Sequence, residues 1–206
     1  MISVSLNEVY SETYKALRSV NIEWSLAKDC ANKAKWLAQH GQYFLGSILK
    51  TADLYKNNKI SISINKNTSK KPLSSALMAL LLVEYVSAKK ITWEGYIDNS
   101  KFLLAAMGII AEEQKINLIL ENEQKDIIAF TKDKEIYVNA NLDNKISSYY
   151  FLKTYDFIKK KNIKFTNLKK NKNVTKLNAQ CWQKLKSMAF ETYVPESETS
   201  KSGAGY

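Results

Sequence analysis

The segment ITWEGYIDNSKFLLAAMGIIAEEQKINLILENEQKDIIAFTKDKEIYV, residues 91–138, reads as strand, helix, strand and hairpin in succession. Ile91–Ile97 carries the β-branched and aromatic residues of a strand, and Phe102–Lys115 reads as a helix. Ile116–Leu120 returns to strand character. Ile127–Phe130 and Ile136–Val138 then flank Lys132-Asp133, which places a hairpin turn there. A helix followed by a strand and a hairpin departs from the regular alternation of a doubly wound sheet. The chain also lacks G-x-G-x-x-G and a P-loop. The expected fold class is α+β: a helical N-terminal bundle packed on a mostly antiparallel sheet, with further covering helices.

Upstream of this segment the chain is helical over residues 1–56. Ser5 is a good N-cap with Glu8 three residues on, which predicts a capping box, and Leu6, Val9, Tyr10, Thr13 and Leu17 follow at helical spacing. Leu26, Ala27, Cys30, Ala31, Ala34, Leu37 and Ala38 form an apolar stripe, with Lys28, Asp29, Lys33 and Lys35 expected to face outward. Gly41 suits the position after that helix, with His40 in its last turn. A third helix is expected over Tyr43–Tyr55. Ile60, Ile62 and Ile64 alternate with serines as a half-buried strand would. Pro72 suits the first turn of a central helix over Leu73–Lys89.

Downstream, Ser147–Phe157 has the Tyr and Phe content of a strand. The lysine-rich stretch after it reads as a loop, and Leu177, Cys181, Leu185 and Met188 mark a last amphipathic helix. Residues 1–194 are expected to form one α+β domain, and 195–206 a Ser/Gly-rich tail without core pattern.

A chain of 206 residues with 45% hydrophobic residues buries about 70% of its unfolded surface and needs no staple. Cys30 and Cys181 are unpaired in sequence, which suits a reducing compartment. The N-terminus shows no signal-peptide pattern, so a cytoplasmic location is expected. The longest apolar run, Ala76–Val83, has eight residues, whereas a bilayer needs about 20. No membrane association is expected.

The net charge of +11 raises the question of nucleic acid. Of 31 basic residues, 30 are lysine and only Arg18 carries the bidentate fork that phosphate and guanine readers favour. Ten lysines and no acidic residue lie between Phe157 and Phe190, so that stretch holds +10 of the charge. Lys159, Lys160, Lys161, Lys164, Lys169, Lys170 and Lys172 form the basic patch. A solvated face is the plainer account of it.

Chemistry-bearing residues are few. His40 is the only histidine, which removes most metal and triad mechanisms; a helix-end imidazole complementing the dipole is its expected role. Cys30 and Cys181 are expected to be small buried hydrophobes. Glu112, Glu113, Glu121 and Glu123 lie in polar stretches and read as solvated surface. Trp24 and Trp36 sit off the apolar stripe, so one of them, Trp24 in particular, is a candidate anchor for a partner. No catalytic residue, metal or cofactor is expected.

The ends of the chain carry a likeness. Ser5-Leu6-Asn7-Glu8-Val9, Trp24-Ser25-Leu26-Ala27, Ala34-Lys35-Trp36-Leu37-Ala38 and Thr192-Tyr193-Val194-Pro195, with Ser197, Ser200 and Gly203-Ala204-Gly205, resemble a bacterial family of about this length. It is the domain of unknown function numbered 3726. The resemblance implies no activity. It does imply that the tail is used, with Tyr193, Pro195, Ser197, Ser200, Gly203 and Gly205 as ligand- or partner-binding candidates. A weaker similarity links Gln39-His40-Gly41 to the opening of the malate/L-lactate dehydrogenase family distinct from the Rossmann enzymes; it reflects shared helix patterning.

Three functional classes follow. The first is a non-catalytic accessory or interaction protein linked to small-molecule metabolism, either a homo-oligomer or the companion of a metabolic enzyme. The second is a small-molecule-binding protein or enzyme using the C-terminal tail. The third is a nucleic-acid binder working through Lys159–Lys176.

Overall fold

Ile2–Ser5 forms strand β1, and Ser5 then caps helix α1, Leu6–Ser19. The Glu8 amide donates to Ser5 Oγ at 3.2 Å and the Ser5 amide to Glu8 Oε2 at 3.0 Å, which completes the capping box. The computed structural model describes residues 1–65, 68–139, 148–156, 164–170 and 174–192. Helices α2 (Trp24–Gln39), α3 (Leu45–Lys56) and α4 (Ser75–Lys89) follow. Then come β2 (Trp93–Ile97), α5 (Ser100–Gln114), β3 (Leu118–Asn122), β4 (Ile127–Lys132), β5 (Glu135–Asn139) and β6 (Ser148–Thr154). Short strands β7 (Phe165–Asn167) and β8 (Val174–Leu177) lead into α6 (Ala179–Phe190).

The chain is an α+β protein. Six strands pair antiparallel in the order β2-β6-β3-β4-β5-β7, and β1 pairs antiparallel with β8 in a separate ribbon. Helices α4 and α5 cover one face of the larger sheet. Helix α2 lies on α4 and α5, α1 lies on α2, and α6 packs against α1 and α3. The core runs through both helical layers and includes Leu37, Phe44, Leu77, Phe102 and Leu120. Each such side chain contributes about 2 kcal/mol by leaving water.

Several expectations are corrected. Ile60–Ile64 makes only a single bridge, Ser61 beside Leu73, and Ile62 is 47% exposed. The reason is that Ser61 and Leu73 share backbone bonds, Ser61 N to Pro72 O at 2.8 Å and Ser74 N to Ser61 O at 2.9 Å. This keeps Pro72 and Leu73 extended, so α4 begins at Ser75 with Ser74 as its N-cap. One side of α4 also meets solvent, at Leu81 and Tyr85. The hairpin turns at Asp133-Lys134, one residue beyond the expected pair, with φ of 51° and 68°. Two consecutive positive φ values match the right-handed twist of the flanking strands. The lysine-rich stretch contributes β7 and β8, and the first residues form β1, where loop and helix start were expected. These short strands gain their order from pairing across the chain, which local pattern does not report.

Candidate functional site

On α2, Asp29, Lys33, Trp36 and His40 are four, three and four residues apart and share one helical face. The indole of Trp36 lies on α5 at Gly108, where a Cβ would stand 2.3 Å from Cζ2 of the indole. Only glycine admits this approach, so a residue that costs about 1 kcal/mol in a helix interior makes room for the Trp36 ring. Trp36 Nε1–H donates to Glu112 Oε1 at 3.3 Å. The other Glu112 oxygen receives Lys170 Nζ at 2.7 Å.

His40 stacks on Trp36 with ring centroids 3.7 Å apart and planes 23° from parallel. Its Nδ1 lies 2.8 Å from the Trp36 carbonyl oxygen. A carbonyl oxygen only accepts, so Nδ1 carries the proton and Nε2 holds the lone pair of the neutral ring. Burial pushes the imidazole below its ordinary range. The Trp36 carbonyl and Glu112 oppose that shift, and Lys170 reinforces it. His40 is therefore neutral at pH 7 and oriented. The imidazole stands at the helix end as expected, and it complements the last turn as a neutral N–H donor to the Trp36 carbonyl.

The ring lines a half-open cleft of about 450 Å³. Gly108 and Glu112 of α5 form one wall; Lys134, Glu135 and Ile136 of the hairpin form another. Asn167, Leu168, Lys169 and Lys170 close the third. The Leu168 amide fixes that wall to β5 by donating to Ile136 O at 3.0 Å. Tyr137 Oη–H donates to Glu135 at 2.6 Å, and this bond, with one from Asn167, lowers the Glu135 pKa. The cleft is thus lined by a neutral imidazole, by Glu135, by the Glu112–Lys170 pair, and by Lys134 and Lys169.

The N-terminal half of the same face is sealed. Lys33 is fully buried, and its Nζ has no hydrogen-bond partner among the described residues. Burial holds its ammonium down to about 8 and pushes Cys30 up to about 12. Nearby, Asp98 is buried at the starts of α4 and α5, where Oδ1 accepts the Ser75 amide and hydroxyl, each at 2.8 Å. Burial raises that carboxyl to about 6 against these bonds. The outward placement expected for Lys33 is corrected, since α5 and α4 pack over the apolar stripe and enclose its flank as well.

The other candidate residues are scattered. Trp24 is 66% exposed at the start of α2, with the Arg18 guanidinium 4.5 Å from its ring centre. Lys169 and Lys170 line the cleft, and Lys164 is exposed ahead of β7. Lys159, Lys160, Lys161 and Lys172 lie outside the described residues, as do Tyr193, Pro195, Ser197, Ser200, Gly203 and Gly205. Glu112 is half-buried and Glu121 is buried beside Lys153 at 2.9 Å, so neither is the solvated carboxylate expected. Cys30 is buried as expected, whereas Cys181 is half-buried, 3.7 Å from the Tyr43 hydroxyl. Among the described residues no group of His, Cys, Asp and Glu could hold a metal ion, and no helix is long and apolar enough to cross a membrane.

Comparison of the chain with protein-family models, curated proteins and solved structures finds no match.

Proposed function

We propose that this chain is a non-catalytic binding protein for a small anionic metabolite, held in the His40 cleft. One observation carries the reading: a neutral histidine, fixed as its Nδ1–H tautomer, lines a cleft ringed by Lys134, Lys169 and Lys170. Nε2 accepts a hydrogen bond from the ligand, and Lys134 and Lys169 hold its carboxylate or phosphate beside the Lys170–Glu112 pair. No hydroxyl or thiol among the described residues bonds to His40, so nothing supports an activated nucleophile. The likeness to the domain of unknown function numbered 3726 adds no chemistry. Two free cysteines support a reducing, cytoplasmic setting.

The single histidine makes the test direct. Imidazole ¹H–¹⁵N spectra of the intact chain are recorded while inorganic phosphate, dicarboxylates and sugar phosphates are added. At least one of these should move the Nε2 resonance and raise the melting temperature. His40→Phe, which keeps the stack on Trp36, should abolish that stabilisation. Equal stabilisation of both proteins, or no response to any of the three classes, defeats the proposal.

A further inference from the structure

Strand register assigns a side to every residue of the larger sheet, because directly paired residues point the same way. Asn167 pairs with Tyr137, Tyr137 with Phe130, Phe130 with Ile119, and Ile119 with Lys153. Tyr96 pairs with Tyr149, and Phe151 stands opposite both Glu94 and Glu121. All of these share the face opposite α4 and α5. The helix-covered face holds Trp93, Ile97, Leu118, Leu120, Ala129, Val138 and Leu152, each buried. Among the described residues the main helix contacts of the larger sheet are those of α4 and α5, on the other face.

The aromatic rings are half-buried and organised. Phe130 stacks on Tyr137 at 4.9 Å and meets Phe165 edge-on at 5.0 Å. Tyr149 meets Tyr96 at 5.0 Å and Phe151 at 5.4 Å. Charges of both signs stand among them. Glu94, Glu121 and Glu135, with Glu123 close to Tyr149, stand among Lys132, Lys153 and Lys125, whose ammonium lies over the Phe151 ring. Aromatics with mixed charge suit a protein contact. A nucleic-acid strand would meet four carboxylates on its stacking platform, and the excess lysines of this chain lie mostly between residues 157 and 190.

We infer that this face is the contact between two copies of the chain, packed sheet on sheet about a two-fold axis. An isologous contact requires a patch complementary to itself, and carboxylates and ammonium groups interspersed around aromatic rings meet that requirement. Strands about 4.8 Å apart and about 17 Å long, six of them, outline roughly 500 Å². Two such faces bury about 1,000 Å², the low end of a specific contact, so the dimer is weak and concentration-dependent. Two twisted sheets stack in this way at about 10 Å separation.

Analytical ultracentrifugation of the full chain, from low micromolar to submillimolar concentration, tests this. The chain should pass from monomer to dimer, while Phe151→Lys and Tyr149→Lys, examined separately, remain monomeric with unchanged circular dichroism and an unchanged His40 spectrum. Trp24→Ala, on the helical side, should dimerise like the parent. A parent chain that is monomeric throughout overturns the inference. So does a dimer that survives both lysine substitutions or is lost in Trp24→Ala, and so does single-stranded oligonucleotide binding that Phe151→Lys removes. The cleft at His40 is read separately, so failure of either proposal leaves the other standing.

Discussion

The two ends of the α2–α5 seam hold ionisable groups on one continuous surface, yet they behave differently. At the N-terminal end Cys30, Lys33 and Asp98 are enclosed. Each is driven toward its neutral form, to about 12, 8 and 6 respectively. At the C-terminal end His40 is also driven toward neutrality, but its ring lines a cleft. Burial disfavours charge at both ends through the same desolvation. What separates them is access: a neutral imidazole facing a cleft can accept a ligand proton, whereas an ammonium sealed in a helix interface only costs stability.

The largest effect expected from this contrast is at the closed end. Lys33→Met should stabilise the protein by about 3 kcal/mol at pH 7, since a fall from 10.5 to about 8 measures the burial penalty on its ammonium. The pH dependence has a definite sign. As pH drops below 10.5 the unfolded chain takes up this proton, and the folded chain does so only near 8. Stability should therefore decline across that window and level off below it, and Lys33→Met should flatten the curve. Urea unfolding at a series of pH values reads both; a destabilised Lys33→Met would mean that the amine is solvated or paired.

A smaller effect belongs to the wall between the two ends. Gly108→Ala places a Cβ 2.3 Å from the Trp36 ring, so the indole must move. Overpacking costs about 1–3 kcal/mol, partly offset by about 1 kcal/mol of helix propensity. A net loss of about 1–2 kcal/mol should accompany a shifted tryptophan emission and a disturbed His40 resonance. If both spectra stay unchanged, the close approach is not what positions His40.

The smallest effect is at the open end. His40 is held below its ordinary value by burial, so its contribution is present above 6.5 and lost as pH falls through the folded value. His40→Phe should remove that component from the stability profile below neutrality while leaving the alkaline limb intact. An unchanged acid limb would place the imidazole in solvent.

Much of this was readable in the residues. Ser5 with Glu8, the alanine-rich stripe of α2 and the apolar runs of α4 and α5 named their own helices, because capping and periodicity act over a few neighbours. The hairpin was legible to within one residue. The strands β1, β7 and β8 were not, since three or four residues hold an extended form only when a partner segment supplies the bonds. For the site, His40 was visible as the sole histidine, and its neighbour Trp36 as an indole off the stripe. Gly108 gave no warning, Glu112 read as solvated surface and Lys170 only as part of a basic patch, because all three are separated from His40 by scores of residues.

The sequence by itself determined the α+β class, most helix limits and the scarcity of histidine and cysteine. These follow from local propensity and composition, which need no knowledge of distant contacts. Only the tertiary structure decided which charges are enclosed, which face of the sheet is aromatic and which side chains surround His40. Burial and pairing are properties of packed elements, and a linear pattern carries them only after the chain has brought those elements together.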